Sequence, residues 1–221
     1  MISEFRDKKM KNSKCKTLIL SIGLFFIFHL IGCIPENNGA GNYRSPQDYF
    51  EMGIHYYQKG EYERAEGQLL KAIQLQPDFA EAYNQLGYTC YGLYEVHFKK
   101  EKDMAKQYYY KSINSFKAAV RYKSDYADPY IGLAILQILA KQFDEAIAFL
   151  KKAQEVEPHN FNTTVQTHYQ LGRCYTYKEE YQKAIEEFEE YLRLMPSGPG
   201  SDAVQRSIME LRKHLNSPKN N

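Results

Sequence analysis

Tryptophan is absent from this 221-residue chain, so every aromatic contact must come from its 20 Tyr and 12 Phe. Neither charge is in excess: 29 Lys+Arg stand against 27 Asp+Glu, a net +2. Even that small surplus is local. Arg6, Lys8, Lys9, Lys11, Lys14 and Lys16, with only Glu4 and Asp7 against them, fall in residues 1–32; the remainder holds 23 basic and 25 acidic residues, a net −2. With both signs interspersed, the chain offers no electrostatic footprint for nucleic acid. A run of about 20 apolar residues, the length needed to cross a bilayer, is also missing. So are a Gly-rich phosphate loop, a His-Glu-x-x-His pair and any Ser or Cys in a nucleophile motif. His55, His97, His159, His168 and His214 show no metal-ligand spacing. These absences exclude most enzyme classes, and the expectation is a non-enzymatic protein with no catalytic residue, metal or cofactor.

What is present begins with targeting. Residues 8–16 are basic, Thr17 to Leu30 are mostly apolar, and His29 interrupts the run near its end. A basic start followed by a short apolar stretch and small residues is the pattern of a secretory signal. Leu30-Ile31-Gly32-Cys33 resembles the lipobox of bacterial lipoproteins. The resemblance implies removal of residues 1–32, acylation of Cys33 and membrane anchoring. Several acyl chains on one residue supply the stable attachment that a single chain does not. An uncleaved anchor or a conventional signal peptide are the alternatives from the residues alone, and Met10 is an alternative start. Ile34, rather than Asp, follows Cys33, which by resemblance favours the outer membrane in a two-membrane bacterium. Residues 33–44, with Pro, Gly and Asn and no periodicity, read as a lipidated tether.

The rest repeats. Ser45-Pro46-Gln47-Asp48 supplies an N-cap, a Pro at the first helical position and an acid at the third. Apolar or small residues follow at Tyr49, Met52, Gly53 and Tyr56; Gly60 breaks the pattern, and a second stripe runs through Tyr62, Ala65, Leu69, Ala72 and Ile73 to Pro77. The 3,4 spacing predicts two helices. The unit returns as Tyr83, Leu86, Gly87, Ser112, Phe116, Ala119; as Tyr130, Leu133, Ala134, Phe143, Ala146, Leu150, Ala153, Pro158; and as Leu171, Gly172, Tyr175, Tyr181, Ala184, Phe188, Pro196. This pattern resembles the tetratricopeptide repeat. The implied architecture is all-α: a right-handed superhelical stack of four hairpins (about 46–79, 80–126 with an insertion, 127–160 and 165–198) plus a capping helix over 201–215 and a tail over 216–221. Together, residues 45–215 form the repeat domain.

Departures from the family pattern carry expectations of their own. The second unit is longer, with a polar turn at Lys99-Lys100-Glu101-Lys102-Asp103, and Asp103 is expected to cap its second helix. Asp202 and Gln205 are spaced as a capping box for the last helix, with Val204, Ile208, Leu211 and Leu215 as its apolar stripe. His168 stands at a leading aromatic position, and Tyr191 stands where a small residue is usual. Cys90 and Cys174 fall two hairpins apart, so a disulfide between them is not expected.

Solenoid stacks present a concave surface lined by the first helix of each hairpin. By the family's register, the groove residues are Phe50, Ile54 and Tyr57; Asn84, Tyr88 and Tyr91; Ile131 and Ile135; Tyr169 and Arg173, with Tyr177 beside them. A surplus apolar stripe calls for a cover, either a partner or the protein's own termini and next hairpin. Only Asn84 and Arg173 suit a carboxylate clamp, so an apolar peptide or helix of a protein partner fits better. The expected function is a lipid-anchored protein–protein interaction scaffold at the bacterial envelope. The alternative is a small-molecule or lipid-binding accessory protein of an envelope transporter.

Overall fold

The segments with helical periodicity are helices in the structure, a computed structural model that describes residues 44–198 and 200–216. The segments read as a leader and a tether, Cys33 among them, lie outside the described residues, as do 217–221 of the expected tail. Four antiparallel pairs follow one another: α1 (Pro46–Gln58) with α2 (Tyr62–Leu75), α3 (Ala80–His97) with α4 (Lys102–Tyr122), α5 (Asp128–Leu139) with α6 (Phe143–Val156), and α7 (Phe161–Tyr177) with α8 (Tyr181–Leu194). A final helix, α9 (Ser201–Asn216), packs on α8. No strand occurs among the described residues, and no helix there is long and apolar enough to cross a membrane.

The start of α1 is capped as its sequence requires. The Asp48 N–H donates to Ser45 Oγ (3.1 Å), and the Ser45 N–H donates to the Asp48 carboxylate (2.7 Å), satisfying two otherwise unpaired donors. Gly60 in the α1–α2 turn has φ +74°, and the equivalent turn positions Lys141 and Glu179 adopt φ 60°. One left-handed residue thus closes three of the hairpins, and only the first uses the residue that accepts this conformation without strain.

Small residues let the paired helices approach. Leu69, Phe116, Leu150 and Phe188, each four positions after a small residue of the second helix, are fully or almost fully buried. A Cβ on Gly53 would stand 2.7 Å from Leu69, on Gly87 2.5 Å from Phe116 and on Gly172 2.5 Å from Phe188. Ser112 reinforces its crossing by donating to the Gly87 carbonyl (2.8 Å). Phe116 also covers Gly132 of the next hairpin, so one ring ties two units. Glu157 ties the next two: it accepts from the Ala127 N–H at the head of α5 and from the Thr163 hydroxyl in α7, both at 3.0 Å.

Two expected caps are corrected. Asp103 lies in the first turn of α4, whose N-cap is Glu101 with no side-chain bond. Asp202 lies inside α9, which begins at Ser201; there the Ser201 hydroxyl reaches back to the Met195 carbonyl (2.6 Å). Val204, Ile208 and Leu211 close the core against Ile185, Phe188 and Tyr191, whereas Leu215, expected in the same stripe, is exposed in the last turn. Tyr191 is accommodated because α9 supplies the surface it packs on. His168 is half-buried and bonds Glu187 through Nδ1 (2.7 Å).

Candidate functional site

Helices α1, α3, α5 and α7 lie side by side, so the residues read as groove-facing share one face of the stack. Electrostatics trace its continuity. Burial, then Tyr62 and the charges of Glu95 on α3 and Asp128 on α5, raise the Tyr57 hydroxyl on α1. Tyr91 on α3 is close enough to Arg173 on α7 for the guanidinium to oppose its own upward shift, which burial dominates.

The N-terminal half of this face is largely closed by its own side chains. Phe50 lies tilted against Phe79, with ring centres 5.0 Å apart, and packs against Leu69, Leu86 and Cys90, which makes it core. Ile54 is half-buried, as is Tyr57, whose ring lies 5.5 Å from Tyr62. Two positions read as partner-contacting present almost no surface: Asn84 is 4% exposed and Ile131 1%. Ile135 packs on the same central cluster as Ile131. Asn84 is covered where α5 seats on α3, and Ile131 is buried in the cluster that α5 forms with Ala146 and Leu150 of α6 and Leu171 of α7.

A polar network makes that seating specific. Asn84 Nδ2 donates to Asp128 Oδ2 (2.6 Å) and to the Tyr126 hydroxyl (3.0 Å), while the Tyr88 hydroxyl donates to Asp128 Oδ1 (3.1 Å). Burial pushes the Asp128 carboxyl above the ordinary range, against the pull of its Asn84 and Tyr88 hydrogen bonds. Burial likewise drives Tyr88 well up, with the Asp128 charge adding to it. Such a buried network, in which Asn84 Oδ1 alone is left without a partner among the described residues, fixes how two hairpins stack more than it adds stability. Tyr126 was not singled out from the sequence, because it lies in a connection outside the periodic pattern.

Openness increases toward the C-terminal end. Tyr91 donates to Glu95 (2.7 Å). Tyr169 is 36% exposed, and Tyr177 is 56% exposed although its ring stacks on Phe143 at 5.2 Å. Arg173 lies 5.9 Å from the Tyr169 ring centre, donates to Gln170 (2.9 Å) and has no carboxylate at ion-pair distance among the described residues. Tyr169, Arg173, Thr176 and Tyr177 face Ala203, Val204 and Ser207 of α9 across a hollow of about 280 Å³. It shares Thr176, Tyr177, Ala203 and Ser207 with an adjoining hollow of about 610 Å³ bordered by Arg206 and His214. The part played by α9 is not legible in its sequence, where only the core-facing stripe is periodic.

Cys90 and Cys174 are free and buried, and burial pushes their thiols up to about 12 and about 11, far from a reactive thiolate. Among the described residues no cluster of three or more His, Cys, Asp or Glu could hold a metal ion.

Family models for the TPR repeat match residues 53–93, and models for the tetratricopeptide repeat match 109–162 and 165–197. No curated protein matches the chain in sequence. Solved structures do resemble it. A thermophilic TPR protein of Thermus thermophilus, TTC0263, superposes with a TM-score of 0.67 at 18% identity, over 76% of this chain and 84% of that one. Pseudomonas aeruginosa pilF gives 0.59 at 22%, over 77% and 68%, and MamA 0.56 at 22%, over 77% and 82%. At these identities the likeness speaks to fold alone.

Proposed function

The chain belongs to the tetratricopeptide-repeat family, and from that premise we propose that it is a protein-binding scaffold held at the bacterial envelope by lipid on Cys33. The partner segment enters the open end of the inner groove, between α7 and α9. The observation that carries this is the trio Tyr169, Arg173 and Tyr177 on the wall of a built hollow. Two exposed Tyr rings supply rigid apolar surface with a polar handle, the side-chain type that anchors interfaces at low entropic cost. Arg173, without a carboxylate partner among the described residues, favours an apolar segment that carries an acidic group. The anchor is supported by Leu30-Ile31-Gly32-Cys33 after a short apolar run.

Affinity purification of the acylated full-length protein from detergent extracts tests both parts. The expected result is a specific co-purifying protein that is lost with Tyr169→Ala/Tyr177→Ala while the thermal melt is unchanged. The same proteins recovered with wild type and the double variant would refute the groove assignment, as would a stoichiometric small molecule in native mass spectrometry. Cys33→Ala is expected to leave the membrane fraction; unchanged fractionation would sink the anchor.

A further inference from the structure

Helices α3 and α4 outreach the hairpin that follows them. Helix α3 has 18 residues against 12 in α5, and α4 has 21 against 14 in α6. At about 1.5 Å per residue, α4 overhangs its neighbour by about 10 Å, close to two helical turns. Elsewhere in the stack the second helix of each hairpin is covered by the first helix of the next. Here α5 stops at Leu139, and the overhang is left as the wall of an open cleft of about 940 Å³.

The wall is aromatic and already organised. Tyr94 packs against Phe98 (5.3 Å) and Tyr109 (5.9 Å), and the Tyr109 hydroxyl donates to the Leu136 carbonyl (3.3 Å), fixing the corner where wall meets floor. Phe98 is 55% exposed and Tyr110 53%. Among the described residues, the charged ones lining the cleft are Lys99, Lys102 and Lys106. None of the three is in an ion pair among the described residues; of the nearby acids, Glu101 is held by His97 (3.5 Å) and neither it nor Asp103 lines the cleft.

We propose that this ledge docks a short acidic amphipathic helix of a protein partner. The empty volume is where α5 would continue if it matched α3 in length, so a helix of about two turns restores the packing seen between the other hairpins. Its apolar side meets Tyr94, Phe98, Tyr109 and Tyr110, and its Asp or Glu side chains face three lysines of one sign. The ledge shares no residue with the hollow between α7 and α9, so the two assignments fail separately.

The test uses the full-length protein in detergent and two fluorescein-labelled helical peptides of about four turns. One has Leu along a single face and Glu elsewhere; its twin has Lys in place of each Glu. Anisotropy titration at low salt is expected to show the acidic peptide binding at least about tenfold tighter, with the preference inverted by Lys99→Glu/Lys102→Glu/Lys106→Glu. Phe98→Ala/Tyr110→Ala weakens both peptides, and Tyr169→Ala/Tyr177→Ala changes neither. Phe98, Tyr110 and Tyr177 are each more than half exposed and Tyr169 about a third, and unchanged melts confirm that the variants fold. Equal binding of the twins, an acidic preference that survives the triple reversal, or loss of binding on Tyr169→Ala/Tyr177→Ala each overturns the proposal. So does lysine-dependent sedimentation with phosphatidylglycerol vesicles in the absence of any peptide preference, which assigns the ledge to a membrane.

Discussion

Gly67 in α2 and Gly87 in α3 both sit inside helices, and replacing each by Ala separates helix propensity from packing. In either helix the exchange gains about 1 kcal/mol of propensity. At Gly67 the added Cβ meets nothing within 4 Å, so the gain is expressed and the variant is stabilised by about 0.5–1 kcal/mol. At Gly87 the Cβ lands 2.5, 2.6 and 2.8 Å from three atoms of the Phe116 ring. That ring is buried, rests on Gly132 from the next hairpin and meets Tyr88 edge-on at 4.9 Å, so it has nowhere to retreat. Overpacking of this kind costs about 1–3 kcal/mol, which leaves Gly87→Ala destabilised by up to about 2 kcal/mol. Propensity cancels between the two variants, and the difference of about 1–3 kcal/mol is the packing term alone. For a domain of this size it amounts to roughly 2–12 °C between their melting temperatures, followed by ellipticity at 222 nm. Adding Phe116→Leu to Gly87→Ala should recover at least about 0.5 kcal/mol beyond additivity. A Gly87→Ala protein as stable as Gly67→Ala would mean that the ring has room, and the account of the crossing would be wrong.

Asp128→Ala removes the acceptor of both Asn84 and Tyr88 and should cost about 1–3 kcal/mol by urea titration at neutral pH; Asp128→Asn should cost less, because the Tyr88 hydroxyl can accept from the new amide. Burial raises the Asp128 carboxyl above its unfolded value, so the native state takes up this proton first. Wild-type stability relative to Asp128→Asn therefore rises as pH falls through the raised native value toward about 3.9, and parallel pH profiles would refute the buried carboxylate. Cys90 and Cys174, with thiols pushed up to about 12 and about 11, should resist thiol-specific labelling at mildly alkaline pH until urea unfolds the chain. Rapid native labelling of either, resolved by peptide mass spectrometry, would contradict the packing of α3 or α7.

The hairpins were legible because a helix in a repeat stack buries one stripe, and burial writes a 3.6-residue period into the chain. The crossing pairs were legible for a related reason: Gly53 and Gly172 answer to Leu69 and Phe188 at the same spacing, and Gly87 answers to Phe116 across the longer second unit. Groove positions were less so. Register alone put Asn84 and Ile131 on the concave side, but whether a side chain there meets a partner depends on how closely the next helix sits. Here Asp128 draws α5 onto α3 over Asn84, while α6 and α7 cover Ile131. Helix caps were also misplaced, since Asp103 and Asp202 differ from true caps by one or two residues and terminal residues compete on small energies.

Taken alone, the sequence determined an all-helical chain of four hairpins and a closing helix, and it carries Leu30-Ile31-Gly32-Cys33, which resembles a lipobox. Those features are local: periodicity, small residues at fixed spacing and a short linear motif are written within tens of residues. Only the tertiary structure decided which surfaces stay open. The Asn84–Asp128 bond joins residues 44 apart, the hollow at Tyr177 needs α9 opposite α7, and the lysine-rimmed ledge exists because α4 is longer than the hairpin stacked beside it. An uncovered face is a property of two elements together, and no single stretch of sequence records it.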